Sequence, residues 1–306
     1  MMHDQLYKFM FERAPVRGEI VSIQAAWQHI LSLHQYPAPV ANILGEMLAA
    51  AALLSSTLKF DGALIMQVFG DGPVKLMVVE ANSDLGLRAT AKLAPNAVIA
   101  PDASLQSLIN LHGQARMAIT LDPREKLPGQ QPYQGIVPVE SDSMAQILED
   151  YMLRSEQLDT KLWLACDHRS SAGLIMQRMP VEGGNSTQME QDEENWHHLL
   201  QLSSTVKREE LLDLPPKDVV ARLFWNENAR IFEPRTPRFF CTCSRDRVAH
   251  MLRTLGQEEL DSVIAEMGCV QVQCEYCNTG YKFDAVDVRQ LFTASEVPIN
   301  AGKGLH

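Results

Sequence analysis

Along the first 180 residues the apolar positions switch repeatedly between helical spacing and strict alternation. Residues 25–33 are amphipathic at helical spacing, and residues 40–58 form a long apolar stretch that predicts a second helix. Residues 63–69 and 74–80 are apolar runs on either side of Gly70-Asp71-Gly72-Pro73, a turn composition that predicts a hairpin. Residues 86–93 alternate with period two and continue the meander. Residues 114–121, 135–139, 162–166 and 173–179 are further strand candidates, and 143–157 reads as a helix with Ser141 or Ser143 as N-cap. The pattern predicts an α+β protein whose first domain, residues 1–180, holds an antiparallel meander.

The stretch from 39 to 58 is long enough to cross a bilayer. It also carries Asn42, Glu46, two serines and a threonine, and a carboxylate near the centre of a membrane span is costly. A buried core helix is the expectation.

The pattern changes at 179–185, where Met-Pro-Val-Glu-Gly-Gly-Asn predicts a domain boundary. Residues 181–238 then read as a helical linker. An acidic run at 190–194 precedes Trp196, Leu199, Leu200 and Leu202 at helical spacing. Helices are predicted at 208–213, stopped by Pro215-Pro216, and at 217–225. Helices this short are marginal alone and need a partner surface. They nevertheless carry Leu211, Leu212, Leu214, Leu223, Phe224 and Trp225, so the segment is apolar and weakly anchored. Residues 239–292 form a small cysteine-rich domain, with helices predicted at 246–255, 257–267 and 285–292 and a short strand at 281–283, and 293–306 is a tail.

The 306 residues, 46% hydrophobic and 21% charged, suffice for one large domain and a smaller one. A net charge of −11 argues against nonspecific nucleic-acid binding and against an anionic membrane surface. The first residues lack a basic region followed by an apolar core and cleavage site, so no signal peptide is expected and the compartment is read as cytoplasmic. There, clustered cysteines read as metal-binding, catalytic or redox-sensing. No Lys-Ser/Thr follows Gly70-Asp71-Gly72 or Gly183-Gly184, so no phosphate-binding loop is present in the sequence.

Cys241 and Cys243 stand in Cys-Thr-Cys, and Cys274 and Cys277 in Cys-Glu-Tyr-Cys. Two such pairs can hold a tetrahedral Zn²⁺ through four thiolates. The same pairs can oxidise to disulfides. A domain of this size is too small for a secure core without a staple, and a metal would supply it. Four thiolates on Zn²⁺ leave a formal charge of −2, which Arg245, Arg247 and Lys282 are placed in sequence to offset. A purely structural zinc ribbon is the plain reading. The tight Cys-x-Cys spacing argues for more, because a disulfide between residues two apart is strained, and strained disulfides tend to be labile or regulatory. Cys269 reads as a spare thiol, Cys166 as a small buried apolar group, and His197-His198 as part of a solvated helix start.

Phe240-Cys241-Thr242-Cys243-Ser244-Arg245-Asp246-Arg247, followed by Cys274-Glu275-Tyr276-Cys277 and Tyr281-Lys282-Phe283, closely resembles the heat shock protein 33 family. Gly70-Asp71-Gly72-Pro73 and Glu210-Leu211-Leu212 extend the resemblance to the N-terminal domain and the linker. Cys269 lies outside the family's cysteine pattern. The resemblance implies a redox-regulated holdase chaperone of the bacterial cytosol that uses no ATP and is not an enzyme. It implies one Zn²⁺ per chain held by Cys241, Cys243, Cys274 and Cys277 in a reduced, inactive state. Oxidation would form the disulfides Cys241–Cys243 and Cys274–Cys277, release the zinc and unfold both the zinc domain and the linker. Unfolding client proteins would then bind, with Trp196, Leu211, Leu212, Leu223, Phe224 and Trp225 as the linker's contacts, and the active form would be a homodimer. Neither nucleic acid nor membrane is an implied partner. The competing classes are a thiol–disulfide oxidoreductase, against which stands the lack of a βαβ pattern before Cys274, and a zinc-ribbon adaptor, against which stands the negative charge.

Overall fold

Two sheets packed on one buried helix build the first of the two units into which the chain divides, Met1–Phe240 and Cys241–His306. The computed structural model describes residues 4–57, 61–125, 131–180 and 186–293. The hairpin β1 (Gln5–Phe11) and β2 (Val16–Ile23) leads into α1 (Ala25–Leu33) and α2 (Ala38–Thr57). The meander β3 (Gly62–Phe69), β4 (Val74–Asn82) and β5 (Gly86–Leu93) follows, then α3 (Leu105–Ile109), β6 (Arg116–Pro123), β7 (Tyr133–Pro138) and α4 (Met144–Ser155). After β8 (Thr160–Cys166) and β9 (Ser171–Arg178) come α5 (Ser186–Ser203), α6 (Arg208–Asp213) and α7 (Pro216–Leu223), then the short strands β10 (Ala229–Ile231) and β11 (Arg238–Phe239). One sheet has the order β10-β1-β2-β9-β8, and the other β11-β5-β4-β3-β6-β7. All pairs are antiparallel except β11 on β5, which is parallel.

The apolar stretch is the core helix expected of it. By length and composition α2 passes as a membrane span, but it is mostly buried, against β2, β8 and β9 of one sheet and β3, β4 and β5 of the other. Its small residues allow close approach: a Cβ on Gly45 would stand 2.1 Å from the Cys166 sulfur. Ser171 Oγ donates to the Gly45 carbonyl at 2.7 Å, tying α2 to β9. The helix starts at Ala38, two residues before the predicted 40, and Leu58 lies outside the described residues.

The meander β3–β5, α1 and the Ser143 N-cap of α4 follow the predicted pattern, while β6 begins two residues late, at Arg116. Asp71 holds the Gly-Asp-Gly-Pro turn by accepting the N–H groups of His112 and Gln114 at 3.1 and 2.8 Å. The hairpin β1–β2 escaped prediction, because Lys8 and Glu19 interrupt its apolar alternation. The register places those two residues opposite one another, with Lys8 Nζ 3.1 Å from Glu19 Oε1. Lys8 also donates to the carbonyl of Ser56, near the C-terminal end of α2, where a cation is favoured. Burial pushes the Glu19 carboxyl above its ordinary range, against the opposing pull of Lys8.

The β1–β2–β9 sheet is buried on both faces. Leu6, Val21, Ile23 and Ile175 join the core around α2. Phe9, Phe11, Ile20, Leu174 and Met176 face a second core with Trp196, Leu199, Leu211, Leu212, Val219, Leu223 and Phe224. The linker helices are therefore not loose: they share a core with the sheet. Helices of six and eight residues hold no stable helicity alone. Each buried leucine or valine contributes roughly 1.5–3 kcal/mol, and that burial carries α6 and α7. The expected boundary at 181–185 lies outside the described residues.

In the second unit, α8 (Arg245–Leu255) and α9 (Gln257–Met267) precede the hairpin β12 (Val270–Gln273) and β13 (Gly280–Phe283), and α10 (Ala285–Thr293) follows. Gly268, at φ 77°, ends α9 in the left-handed cap that favours glycine. The buried core is small: Ala249, Leu252, Leu260, Val270, Phe283, Val288 and Leu291. The tail from 294 lies outside the described residues.

Candidate metal and redox centre

Two local structures deliver the four cysteines. Cys241 and Cys243 sit just before α8, whose start is fixed by Ser244 Oγ accepting the Arg247 N–H at 3.2 Å. Cys274 and Cys277 occupy the turn between β12 and β13. There the Cys274 N–H donates to the Thr279 carbonyl at 2.9 Å and the Asn278 N–H to the Cys274 carbonyl at 2.8 Å. Asn278 takes φ 56°, a conformation asparagine tolerates better than most residues.

The four sulfurs all lie within 4.8 Å of one another. Cys241 Sγ is 3.7 Å from Cys274 Sγ, and Cys243 Sγ is 3.3 Å from Cys277 Sγ. Tetrahedral zinc with Zn–S near 2.3 Å requires sulfurs about 3.8 Å apart, so the donor set and its spacing fit that ion. No disulfide joins any of the six cysteines in this structure. Burial drives the Cys241 thiol up to about 12, and it also raises Cys274. At Cys277 burial acts in the same direction, but Thr279 and the neighbouring sulfurs outweigh it and bring the thiol down to about 6.

Two residues around the sulfurs went unnoticed as neighbours in the sequence. The Tyr281 hydroxyl donates to Cys243 Sγ at 3.1 Å, which raises the phenol to about 12. The Thr279 hydroxyl lies 3.2 Å from Cys277 Sγ. Their only sequence signal is their place in the hairpin beside Cys277. Arg245, expected to offset thiolate charge, is committed elsewhere. It pairs with Asp287 at 2.9 Å, donates to the Lys282 carbonyl at 2.7 Å and lies 4.2 Å from the Phe283 ring centroid.

Cys269 stands outside the four-sulfur group, its sulfur 3.6 Å from Gln271 Nε2. Cys166 is fully buried against α2, and burial pushes its thiol well up, the condition of an unreactive core cysteine. His197 and His198 turn to different partners, Glu193 and Glu227. Of the apolar linker residues, Trp196, Leu211, Leu212, Leu223 and Phe224 are brought together in the second core of the first unit, whereas Trp225 is 82% exposed.

Comparison with known proteins agrees with this architecture. The family model described as Hsp33 protein matches residues 4–284. The 33 kDa chaperonin of Methylobacillus flagellatus is 45% identical over 96% of this chain and 96% of its own length. That of Neisseria meningitidis is 43% identical over 97% of this chain and 94% of its own. A solved structure of the 33 kDa chaperonin (heat shock protein 33 homolog) of Thermotoga maritima shares the fold, with a TM-score of 0.78 over 96% of this chain and 99% of its own at 21% identity. With a family model spanning nearly its whole length and relatives above 40% identical over that length, the chain belongs to the Hsp33 family of chaperones.

Proposed function

We propose that this chain is a redox-regulated, ATP-independent holdase, inactive when reduced and able to bind unfolding proteins once its thiols are oxidised. The observation that carries this reading is the convergence of four sulfurs in a unit whose apolar core is too small to be secure alone. Cys241, Cys243, Cys274 and Cys277 would hold one Zn²⁺. An ion bound there supplies a cross-link between the segment before α8 and the β12–β13 hairpin. Oxidation of each thiolate pair, Cys241–Cys243 and Cys274–Cys277, gives up two electrons and forms one S–S bond, and solvent supplies two protons. A hydrogen peroxide molecule accepts them and becomes two waters. Disulfide sulfurs no longer serve as thiolate ligands, so the cross-link is lost and the second unit loosens.

The linker, residues 181–238, is the element this event would bias. Its helices α6 and α7 are short, and the apolar faces of the linker are covered by docking on the β1–β2–β9 sheet. Released, they would expose Trp196, Leu211, Leu212, Leu223 and Phe224, and would bare Phe9, Phe11, Ile20 and Met176 on the sheet. Together with Trp225 these would form a client-binding surface on the 1–180 domain and the linker. The active species would be a homodimer in the cytoplasm, acting by binding and not by catalysis.

The test is light scattering of a denatured test protein in the presence of the chain, reduced and zinc-loaded or treated with peroxide at elevated temperature. Zinc release would be followed with a chelating dye. Suppression only after oxidation, with about one zinc released per four-thiolate site, is the expected result. Zinc retained with no suppression in either state would reduce the site to a structural staple.

A further inference from the structure

Residues 229–240 form a strap that caps an edge of both sheets of the first unit before the chain reaches Cys241. β10 pairs with β1 at the edge of one sheet, Ala229 to Ile231 opposite Phe11 to Phe9. Arg235 then exchanges backbone hydrogen bonds with Leu6, at 2.8 and 2.9 Å. β11 closes the edge of the other sheet on β5, where the Arg238 and Phe240 N–H groups donate to the carbonyls of Leu85 and Leu87 at 3.0 and 2.9 Å. An uncovered edge is a template for another strand, and a short capping segment is one way to blunt it.

This cap is a weak occupant. β10 is three residues long and β11 two, whereas β1 and β5 run for seven and eight. Pro234 and Pro237 interrupt the strap and have no N–H to donate. Phe232 and Phe240 are partly exposed. One cleft borders β11, and another lies beside Phe232, next to β10. The first, of about 450 Å³, is lined by Asp4, His29, Thr236, Arg238 and Phe239, with the Phe239 ring 4.4 Å from that of His29. The other, of about 240 Å³, is lined by Lys8, Met10, Arg17, Glu19 and Phe232.

We propose that the strap is a removable strand, and that an extended apolar segment of an unfolding polypeptide takes its place on the edges of β1 and β5. The strap shows the chemistry that fits. It is extended polypeptide held by main-chain hydrogen bonds, with aromatic side chains bordering the clefts, the mode in which strand addition binds peptides. A longer incoming strand forms more rungs than β10 or β11 does. The strap is tethered to Cys241 on one side and to the linker helices on the other, so loss of order in both neighbours frees it. This rests on the holdase reading above and names a main-chain site for the client in addition to the apolar faces of the linker and sheet.

The experiment is amide hydrogen exchange of the full chain followed by mass spectrometry. The chain is taken reduced, oxidised, and oxidised with reduced, carboxymethylated α-lactalbumin as a permanently unfolded probe, and aggregation suppression is measured on the same samples. Residues 5–11 and 229–240 are expected to exchange about tenfold faster after oxidation, as expected when a few hydrogen bonds are lost, and residues 5–11 to regain protection with the probe. Suppression of aggregation with both segments protected throughout would overturn the strap proposal and leave the holdase reading intact. No suppression after oxidation would remove the holdase reading and the proposal with it. Protection that returns without the probe, at concentrations where copies associate, would assign the edges to a second copy and overturn the proposal. As a second variant, Arg238→Pro removes the donor to Leu85. The reduced variant is expected to exchange faster over 229–240 and to bind the probe without oxidant. Faster exchange with no binding would overturn the proposal, and if this variant fails to fold, the wild-type exchange decides.

Discussion

The two units reach order by different means. In the first, α2 is enclosed by two sheets, and a second apolar core lies on the far face of the β1–β2–β9 sheet. Burial alone is an ample driving force there. In the second, seven apolar groups make up the described core, and four sulfurs converge at one end of its hairpin. Below about 70 residues such a core rarely supplies more than ~3–5 kcal/mol, and a structural metal is a usual supplement. The linker helices stand between these cases: well buried, but only while docked.

The largest effect expected is on the second unit. A strong chelator added to the reduced protein, or Cys277→Ser, should remove stabilisation on the order of 10 kcal/mol from that unit. Amide protection over 245–293 should collapse while protection of the core helix α2, 38–57, persists, since α2 is enclosed by the two sheets of the first unit. Protection retained after zinc loss would erase the contrast between the units. Smaller effects are expected at the linker. Leu212→Ser or Leu223→Ser should weaken docking by about 2–4 kcal/mol and lower the peroxide needed for aggregation suppression. An unchanged oxidant requirement would show that docking of these helices does not restrain activity.

Glu46 tests the seam between α2 and α6. Burial raises its carboxyl to about 7 from an ordinary value near 4.5, against the opposing charge of Arg208. Between those pH values the folded state binds more protons than the unfolded state, so stability falls as pH rises and levels off above about 7. The loss is up to about 3 kcal/mol. Glu46→Gln should flatten this slope and stabilise the first unit at pH 8, read from urea unfolding by tryptophan fluorescence, and a persistent slope would assign it to another group. The smallest effect is expected at Trp225, already exposed while the linker is docked. Trp225→Ala should change stability by less than about 0.5 kcal/mol yet weaken binding of an unfolded probe to the oxidised chain. Unaltered binding would remove Trp225 from the client surface.

What was legible in the sequence was chemistry and strong periodicity. Cys-x-Cys and Cys-x-x-Cys point to one shared cluster of four cysteines, and the sulfurs do converge. The α2 stretch, the β3–β5 meander and α9 were legible because each has one uninterrupted period. The β1–β2 hairpin was hidden because Lys8 and Glu19 look like breaks in an apolar strand until the register sets them side by side and burial makes their pairing necessary. β10 and β11 were hidden because two or three residues carry no period; only the edges they cap give them a conformation. The linker shows the division most clearly. Its sequence determined short helices with apolar faces, marginal in isolation. That those faces are buried, and that Trp225 alone among the named apolar linker residues stays in solvent, was decided by the sheet beneath them, because burial is a property of two surfaces and a sequence pattern describes only one.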